Sequence, residues 1–408
     1  MGLLVRLGGL TRRLSVAAVA ALAVAVTGCS STGGGGDSPA ACNSPGVTPD
    51  QVKIGFVYSD SGTGSSALSS ARAGLDARIG LANQEGGVHG RRIAYEWRDD
   101  GSSATEDARA TTELVRDRSV FGLVTATAFL SGSVDSLAAQ KIPVSGLIQP
   151  AWANYPNLFS FMYEVAPETA GRYLQLSGAK KVAFLITGSG AFTLQTIERY
   201  KAAFGRVGLA TGDTISFARS TDSPAQVAQQ LSGMGADALI GFSTPEDLAD
   251  VLGAARAANV RIVSSLSLTG YDRNVLHQLG PSLAGVSFGV NFKPFEMGDA
   301  PVQRYRDAMT RFAPETVVPE QQFAMYAYLY TDLFLRGLEI AGDCPTREAF
   351  ISGLRKVTNY DAGGLIEPVN LGTNATQPLQ CNAFVRINQA GAAFEVAYRR
   401  LCADGSSS

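Results

Sequence analysis

The chain has 408 residues, 45% of them hydrophobic and 17% charged, with a formal net charge of -2. That near-neutral balance argues against a nucleic-acid role or a polybasic membrane role. The portion of the chain beyond Val52 exceeds the roughly 250–300 residues that one hydrophobic core supports, so two domains are expected.

The N-terminus opens with a basic region (Arg6, Arg12, Arg13) and runs into an apolar stretch from Leu14 to Val26. The stretch is about half as long as a membrane-spanning helix, and no later one reaches that length. It ends in Val26-Thr27-Gly28-Cys29, which resembles the lipobox of bacterial lipoproteins, in which the cysteine is acylated and becomes the new N-terminus. Residues 1–28 are therefore expected to be a signal peptide, Cys29 a lipidation site, and residues 29–49, rich in Gly and Ser, a flexible tether. The expected location is the outer face of the cytoplasmic membrane. Adjacent Arg12 and Arg13 leave the export route open between the general and the twin-arginine systems.

From Val52 onward short apolar strands alternate with amphipathic helices, the pattern of a helix-covered parallel sheet. Strands are expected at 52–58, 92–97, 121–125 and 143–148. The first helix, about 66–83, places Leu68, Ala71, Leu75, Ile79 and Ala82 on one face and ends at Gly86-Gly87. A second run of the same design has strands at 182–187, 214–217, 238–242 and 261–265, with helices near 193–207, 224–234 and 245–259. Pro224 and Pro245 fall in first helical turns, where a missing N–H costs nothing. After 285–292 come helices at 302–312, 323–340 and 346–357. A β-hairpin closes the chain, with strands 383–387 and 394–398. The tyrosines of the 323–340 helix read as core.

Of the cysteines other than Cys29, Cys42, Cys344, Cys381 and Cys402 are expected to form two disulfides in an oxidising exterior. Three connectivities are open. Cys344 with Cys381 is favoured, because both lie in the C-terminal region, which leaves Cys42 with Cys402. No metal site is expected: there is no CxxC pair, and His89 and His277 lack ligand neighbours at useful spacing. Asp99 and Asp100 read as solvated loop carboxylates. Gly62-Thr63-Gly64-Ser65-Ser66-Ala67 satisfies the G-x-G-x-x-A dinucleotide fingerprint and raises a nicotinamide-dependent oxidoreductase as an alternative, though the expected acidic partner lies too far downstream. No G-x-S-x-G elbow occurs.

Several blocks in order resemble the type I periplasmic binding proteins of the branched-chain amino acid family, the substrate receptors of ABC importers. They are Ile54-Gly55-Phe56-Val57 with Ser61-Gly62, Ala82-Asn83-Gln84-Glu85-Gly86-Gly87-Val88-His89-Gly90-Arg91, Trp97-Arg98-Asp99-Asp100, Gln140-Lys141-Ile142-Pro143-Val144 and Ala254-Ala255-Arg256-Ala257-Ala258-Asn259-Val260. The resemblance covers about residues 50–400.

It implies an α/β fold of two doubly wound parallel-sheet lobes joined by three crossovers, near 161–167, 289–296 and 357–365. Lobe 1 would comprise 50–163 and 294–360, and lobe 2 would comprise 164–293 and 361–402. It implies a non-enzymatic, monomeric receptor without cofactor that captures a small-molecule ligand between the lobes and delivers it to an ABC permease. A sensor of the same fold signalling to a surface partner is the alternative role. By the same resemblance Thr127 and Ala128 would hold a ligand carboxylate, with Gln149 standing where amino-acid binders carry a threonine. Phe192 would cover the ligand, and Ser61, Ser243, Thr244, Thr269, Tyr271 and Gln321 would complete the lining. Amino-acid binders place an acidic residue where Thr269 falls, so an amide, an aromatic acid or another carboxylate without an ammonium ranks close to a branched-chain amino acid. Asp272 would restore the acid if the register slips.

Overall fold

The computed structural model describes residues 42–162, 165–187, 191–374 and 379–408, without the side chains of Pro150, Ala191 and Phe192. Cys29, the signal segment and most of the tether lie outside the described residues. Residues 42–49 are not tether: Val47 is buried and bridges to Val52, and Cys42 is disulfide-bonded to Cys344.

The first lobe is built on β1 (Gln51–Tyr58), β2 (Arg92–Asp99), β3 (Leu123–Ala126), β4 (Val144–Gly146) and β5 (Leu158–Phe159). All pair in parallel, in the order β2-β1-β3-β4-β5. β1 lies inside the sheet, and its apolar run Ile54, Phe56, Val57 and Tyr58 is buried, as a strand covered on both faces requires. The connecting helices are α1 (Ser65–Leu68), α2 (Ala71–Gln84), α3 (Ala104–Thr112) and α4 (Val134–Ala139). The single helix expected at 66–83 is thus two, broken between Leu68 and Ala71.

The second lobe follows with α5 (Pro167–Leu176), β6 (Lys181–Ile186), α6 (Ala191–Arg206), β7 (Ala210–Ser216), α7 (Pro224–Gly233), β8 (Ala238–Phe242), α8 (Pro245–Ala257), β9 (Ser264–Ser267), α9 (Arg273–Leu279) and β10 (Val286–Val290). The chain then returns to the first lobe for α10 (Ala300–Phe312), α11 (Gln322–Ala341) and α12 (Arg347–Leu354). It ends in the second with β11 (Cys381–Ile387) and β12 (Phe394–Cys402). The second sheet runs β12-β11-β10-β9-β8-β6-β7, with β11 alone running against the others and so antiparallel to both β10 and β12.

α11 forms the spine of the first lobe. It buries Tyr326, Tyr328, Tyr330, Leu333, Phe334 and Leu338, each side chain contributing about 1.5–3 kcal/mol by removal from water. It crosses α2 so closely that a Cβ on Gly74 would lie 1.8 Å from the Ala324 carbonyl oxygen, so only glycine fits there. α2 ends at Gly86-Gly87, both at positive φ, with the Gly87 N–H donating to Ala82 O at 2.8 Å.

Three crossovers join the lobes. The first, after β5, places Phe161 against Tyr326 and Tyr330. The second follows β10. The third lies later than the expected 357–365. Tyr360 bonds to Asp332 on α11 at 2.7 Å, and Asn374 Nδ2 donates to Trp152 O and Tyr155 O, so the chain holds to the first lobe through Asn374. Leu379 then pairs with Val165 of the first crossover.

The disulfides are Cys42–Cys344 and Cys381–Cys402, which corrects the expected Cys344–Cys381 and Cys42–Cys402 pairs. Cys344 sits between α11 and α12 in one lobe and Cys381 opens β11 in the other, so nearness in sequence is not nearness in space. Hairpin register sets Cys381 opposite Cys402.

Candidate ligand-binding cleft

In parallel sheets the loops at the carboxyl ends of the strands are where ligands are received. After β3, Thr127 is wholly buried, and its Oγ1 accepts from the Phe129 N–H at 2.9 Å, leaving the hydroxyl proton to donate. Gln149 lies against it, but its Nε2 donates to Thr127 O at 3.1 Å, so its amide positions this turn and does not point donors outward. Ala128 is exposed, and its N–H has no hydrogen-bond partner among the described residues. One hydroxyl and one N–H on consecutive residues suit the two oxygens of a carboxylate.

Ser61 Oγ donates to Asp99 Oδ2 at 2.5 Å, while Asp99 Oδ1 accepts from the amides of Asp60, Ser61 and Gly101. Partial burial opposes ionisation, but these donors, led by the Ser61 hydroxyl, hold the Asp99 carboxyl below its usual range. The same loop carries the dinucleotide fingerprint. Its Ser61 amide is taken by Asp99, that of Gly64 by Ser102 Oγ and that of Ser65 by Gly62 O, and the following helix has four residues. A pyrophosphate would find those donors spent, so the oxidoreductase alternative has no cradle here.

Asp100, expected in solvent, is wholly buried. It turns beneath α3, where Oδ1 accepts from the Ser102 N–H at 2.8 Å and Oδ2 has no partner among the described residues. Buried Asp107 lies close enough for the two charges to interact. Burial pushes its carboxyl up to about 7, against a 3.0 Å hydrogen bond from Ser133 Oγ and with a further push from Asp100.

On the second lobe Ser243 and Thr244 follow β8 and Thr269 follows β9. Thr269 Oγ1 donates to Ser243 O at 2.9 Å, which brings two expected residues together. Ser243 Oγ is buried without a partner among the described residues, an open donor at this rim. Thr244 caps α8 by accepting from the Asp247 N–H at 3.2 Å. Asp272 caps α9, accepting from the Asn274 N–H at 2.6 Å, so it does not supply the acid absent at Thr269.

Two expected lining residues lie elsewhere. Tyr271 is wholly buried among Phe288, Phe292, Phe295 and Phe394, its hydroxyl donating to Glu296 and accepting from the Phe295 N–H. Gln321 is buried and turns Nε2 onto Val318 O at 3.0 Å. Phe192 is the second residue of α6, and its side chain lies outside the described residues. The sequence reading missed Thr187 and Asp247. Thr187 Oγ1 donates to Asp247 Oδ2 at 2.5 Å, and the carboxylate lies 3.9 Å from Arg219. Their signal was positional: the end of a strand, and the first turn of a helix opened by proline.

A family model described as periplasmic binding protein matches residues 51–392. No curated protein matches the chain. Among solved structures, a fatty acid ABC transporter substrate-binding protein from Thermomonospora curvata superposes with a TM-score of 0.75 at 18% identity, covering 88% of this chain and 94% of that one. A branched-chain amino acid ABC transporter protein from Thermus thermophilus with bound valine gives 0.75 at 14% identity, over 86% and 97%. LivJ from Streptococcus pneumoniae in complex with isoleucine gives 0.70 at 16%, over 85% and 99%. At such identities the likeness is one of fold.

Proposed function

Because the chain belongs to the periplasmic binding protein family, we propose that it is the extracytoplasmic substrate receptor of an ABC importer, capturing a small carboxylate or amide ligand between its lobes and delivering it to a membrane permease. It acts as a monomer without cofactor, and closure about the crossovers is the signal the permease reads. The reading of the ligand class rests on the pairing of the Thr127 hydroxyl with the unpartnered Ala128 N–H on one lobe, and on the loops of Ser243, Thr244 and Thr269 on the other, where Thr269 stands in place of an acid and Asp272 caps α9. A buried ammonium without a carboxylate partner is costly, so this set favours an amide, an aromatic acid or an aliphatic acid over a zwitterion.

A thermal-shift screen against amino acids, amides, aromatic acids and aliphatic acids tests it, since a tight ligand raises Tm by mass action. An acid or amide is expected to give the largest shift, and Thr127→Ala to weaken its binding by about tenfold, one lost hydrogen bond to a charged group. Unchanged affinity in Thr127→Ala removes the cleft assignment. A branched-chain amino acid ranking first removes the argument from Thr269. The reading includes a lipid anchor at Cys29: Cys29→Ala should release the protein from the membrane fraction, and retention would remove the anchor.

A further inference from the structure

The second sheet has another concavity at its opposite end, below the N-terminal ends of β9 and β10. It is a cavity of about 1030 Å3 between α5, the end of α8 and the β11–β12 hairpin. Its side chains are unevenly matched. Arg256, Arg261 and Arg386 line it, and among the described residues no aspartate or glutamate does. Ser264 on its floor is 8% exposed, and its hydroxyl has no hydrogen-bond partner among the described residues; it lies on the same face of the sheet as Leu266, Ser287 and Arg386. Ser287 Oγ and Tyr173 OH share one hydrogen bond at 2.6 Å, so one of their two hydroxyl protons is left to donate.

The guanidiniums have some local partners. Arg256 lies in the last turn of α8, where it offsets the negative helix end and donates to Ser282 O at 2.5 Å. Arg386 lies 3.6 Å from Glu395 across the hairpin, and its Nε is buried with no acceptor among the described residues. Arg261, in the loop before β9, has no partner among the described residues. The helix C-termini of α5 and α8 leave this end of the lobe negative, and Arg256 answers that field. Arg261 and Arg386 remain as cationic donors above a hydroxyl floor. Hydroxyls open to the cavity beside arginines form a donor set for an oxygen-rich ligand.

We propose that this cavity binds a phosphorylated polyol, with Arg261 and Arg386 on the phosphate and Ser264 and the spare hydroxyl proton of the Tyr173–Ser287 pair on the polyol oxygens. The volume is ample for such a ligand. The chemistry is shared by a free sugar phosphate and by the headgroup of a phosphoglycerolipid. The site is separate from the cleft, which lies at the carboxyl ends of the same strands, and it stands whether or not the importer reading does.

The test is calorimetric titration of the protein with ribose 5-phosphate and with ribose, alongside cosedimentation with phosphatidylglycerol and phosphatidylcholine vesicles. Saturable binding is expected for ribose 5-phosphate or for the phosphatidylglycerol vesicles, whichever source is used, with neither ribose nor phosphatidylcholine bound. Arg261→Gln, an exposed change that leaves the core intact, and Ser264→Ala are each expected to weaken it about tenfold. Thr127→Ala should leave it unchanged, which keeps it distinct from the cleft ligand. No saturable binding of either phosphate probe, or equal affinity in the parent and in both Arg261→Gln and Ser264→Ala, overturns the proposal.

Discussion

Asp107 is a residue whose cost is visible. Its carboxyl titrates near 7 in the fold because burial disfavours the charge, whereas an unfolded chain ionises it near 3.8. Below about pH 4 both states hold the proton and the residue costs nothing. As pH rises from 4 to 7 only the unfolded chain releases it, so stability falls, by on the order of 4 kcal/mol for a shift of this size, and is level above 7. Asp107→Asn keeps an acceptor for Ser133 and is expected to raise stability at pH 8 well above any gain at pH 4, as denaturant melts would show. An equal effect at both pH values sinks this account. Residue-scale reading from sequence failed for the same physical reason at Asp100 and Tyr271. Both side chains are polar at a loop, and the pattern of a loop does not say which of its residues turns inward. Thr127 was singled out by the family resemblance, and its place directly after β3 is the part the structure shows.

At the scale of elements, strands and helices were legible nearly to the residue wherever periodicity and proline spoke together, as at α7 and α8. α5 escaped, although Pro167 and Glu168 open it and Tyr173 and Leu174 mark its buried face. The disulfides escaped because pairing depends on register. Ile387 pairs with Phe394, and irregular pairing at Asn382, Phe384 and Val385 then brings Cys402 opposite Cys381. No residue count along the chain reports such a shift. The Cys42–Cys344 bond spans 302 residues and ties the first described residues to the α11–α12 connection. Replacing both cysteines by serine should cost about 2–4 kcal/mol and lower Tm. A Tm equal to that of the parent would show that the packing of Val47 and the Ser44 hydroxyl on Pro345 O hold this segment alone.

For the whole molecule, the two-lobed design followed from length and alternation, but the seam between the lobes did not. A chain of long hydrogen bonds crosses it. Gln322 Nε2 reaches Leu268 O at 3.3 Å and Tyr326 OH at 3.4 Å, and Tyr326 OH reaches Asn291 Oδ1 at 3.3 Å. Asn291 then meets Asn382 at 3.1 Å, and Asn382 meets Thr169 at 3.4 Å. It joins α11 of the first lobe to α5 and β11 of the second through Asn291, in the crossover after β10, so bending must rearrange it. Tyr326→Phe is expected to change the unliganded radius of gyration in small-angle scattering and to shift cleft affinity a few-fold without touching ligand. If neither moves, the chain is only packing.

The close crossing of α2 by α11 at Gly74 has one more consequence, in time. The first sheet is made first but covered late, since its spine is not synthesised until β6 to β10 of the second lobe have been. A chain emerging N-terminus first must hold β1 to β5 uncovered while about 160 further residues arrive, an interval in which that sheet is open to other partners.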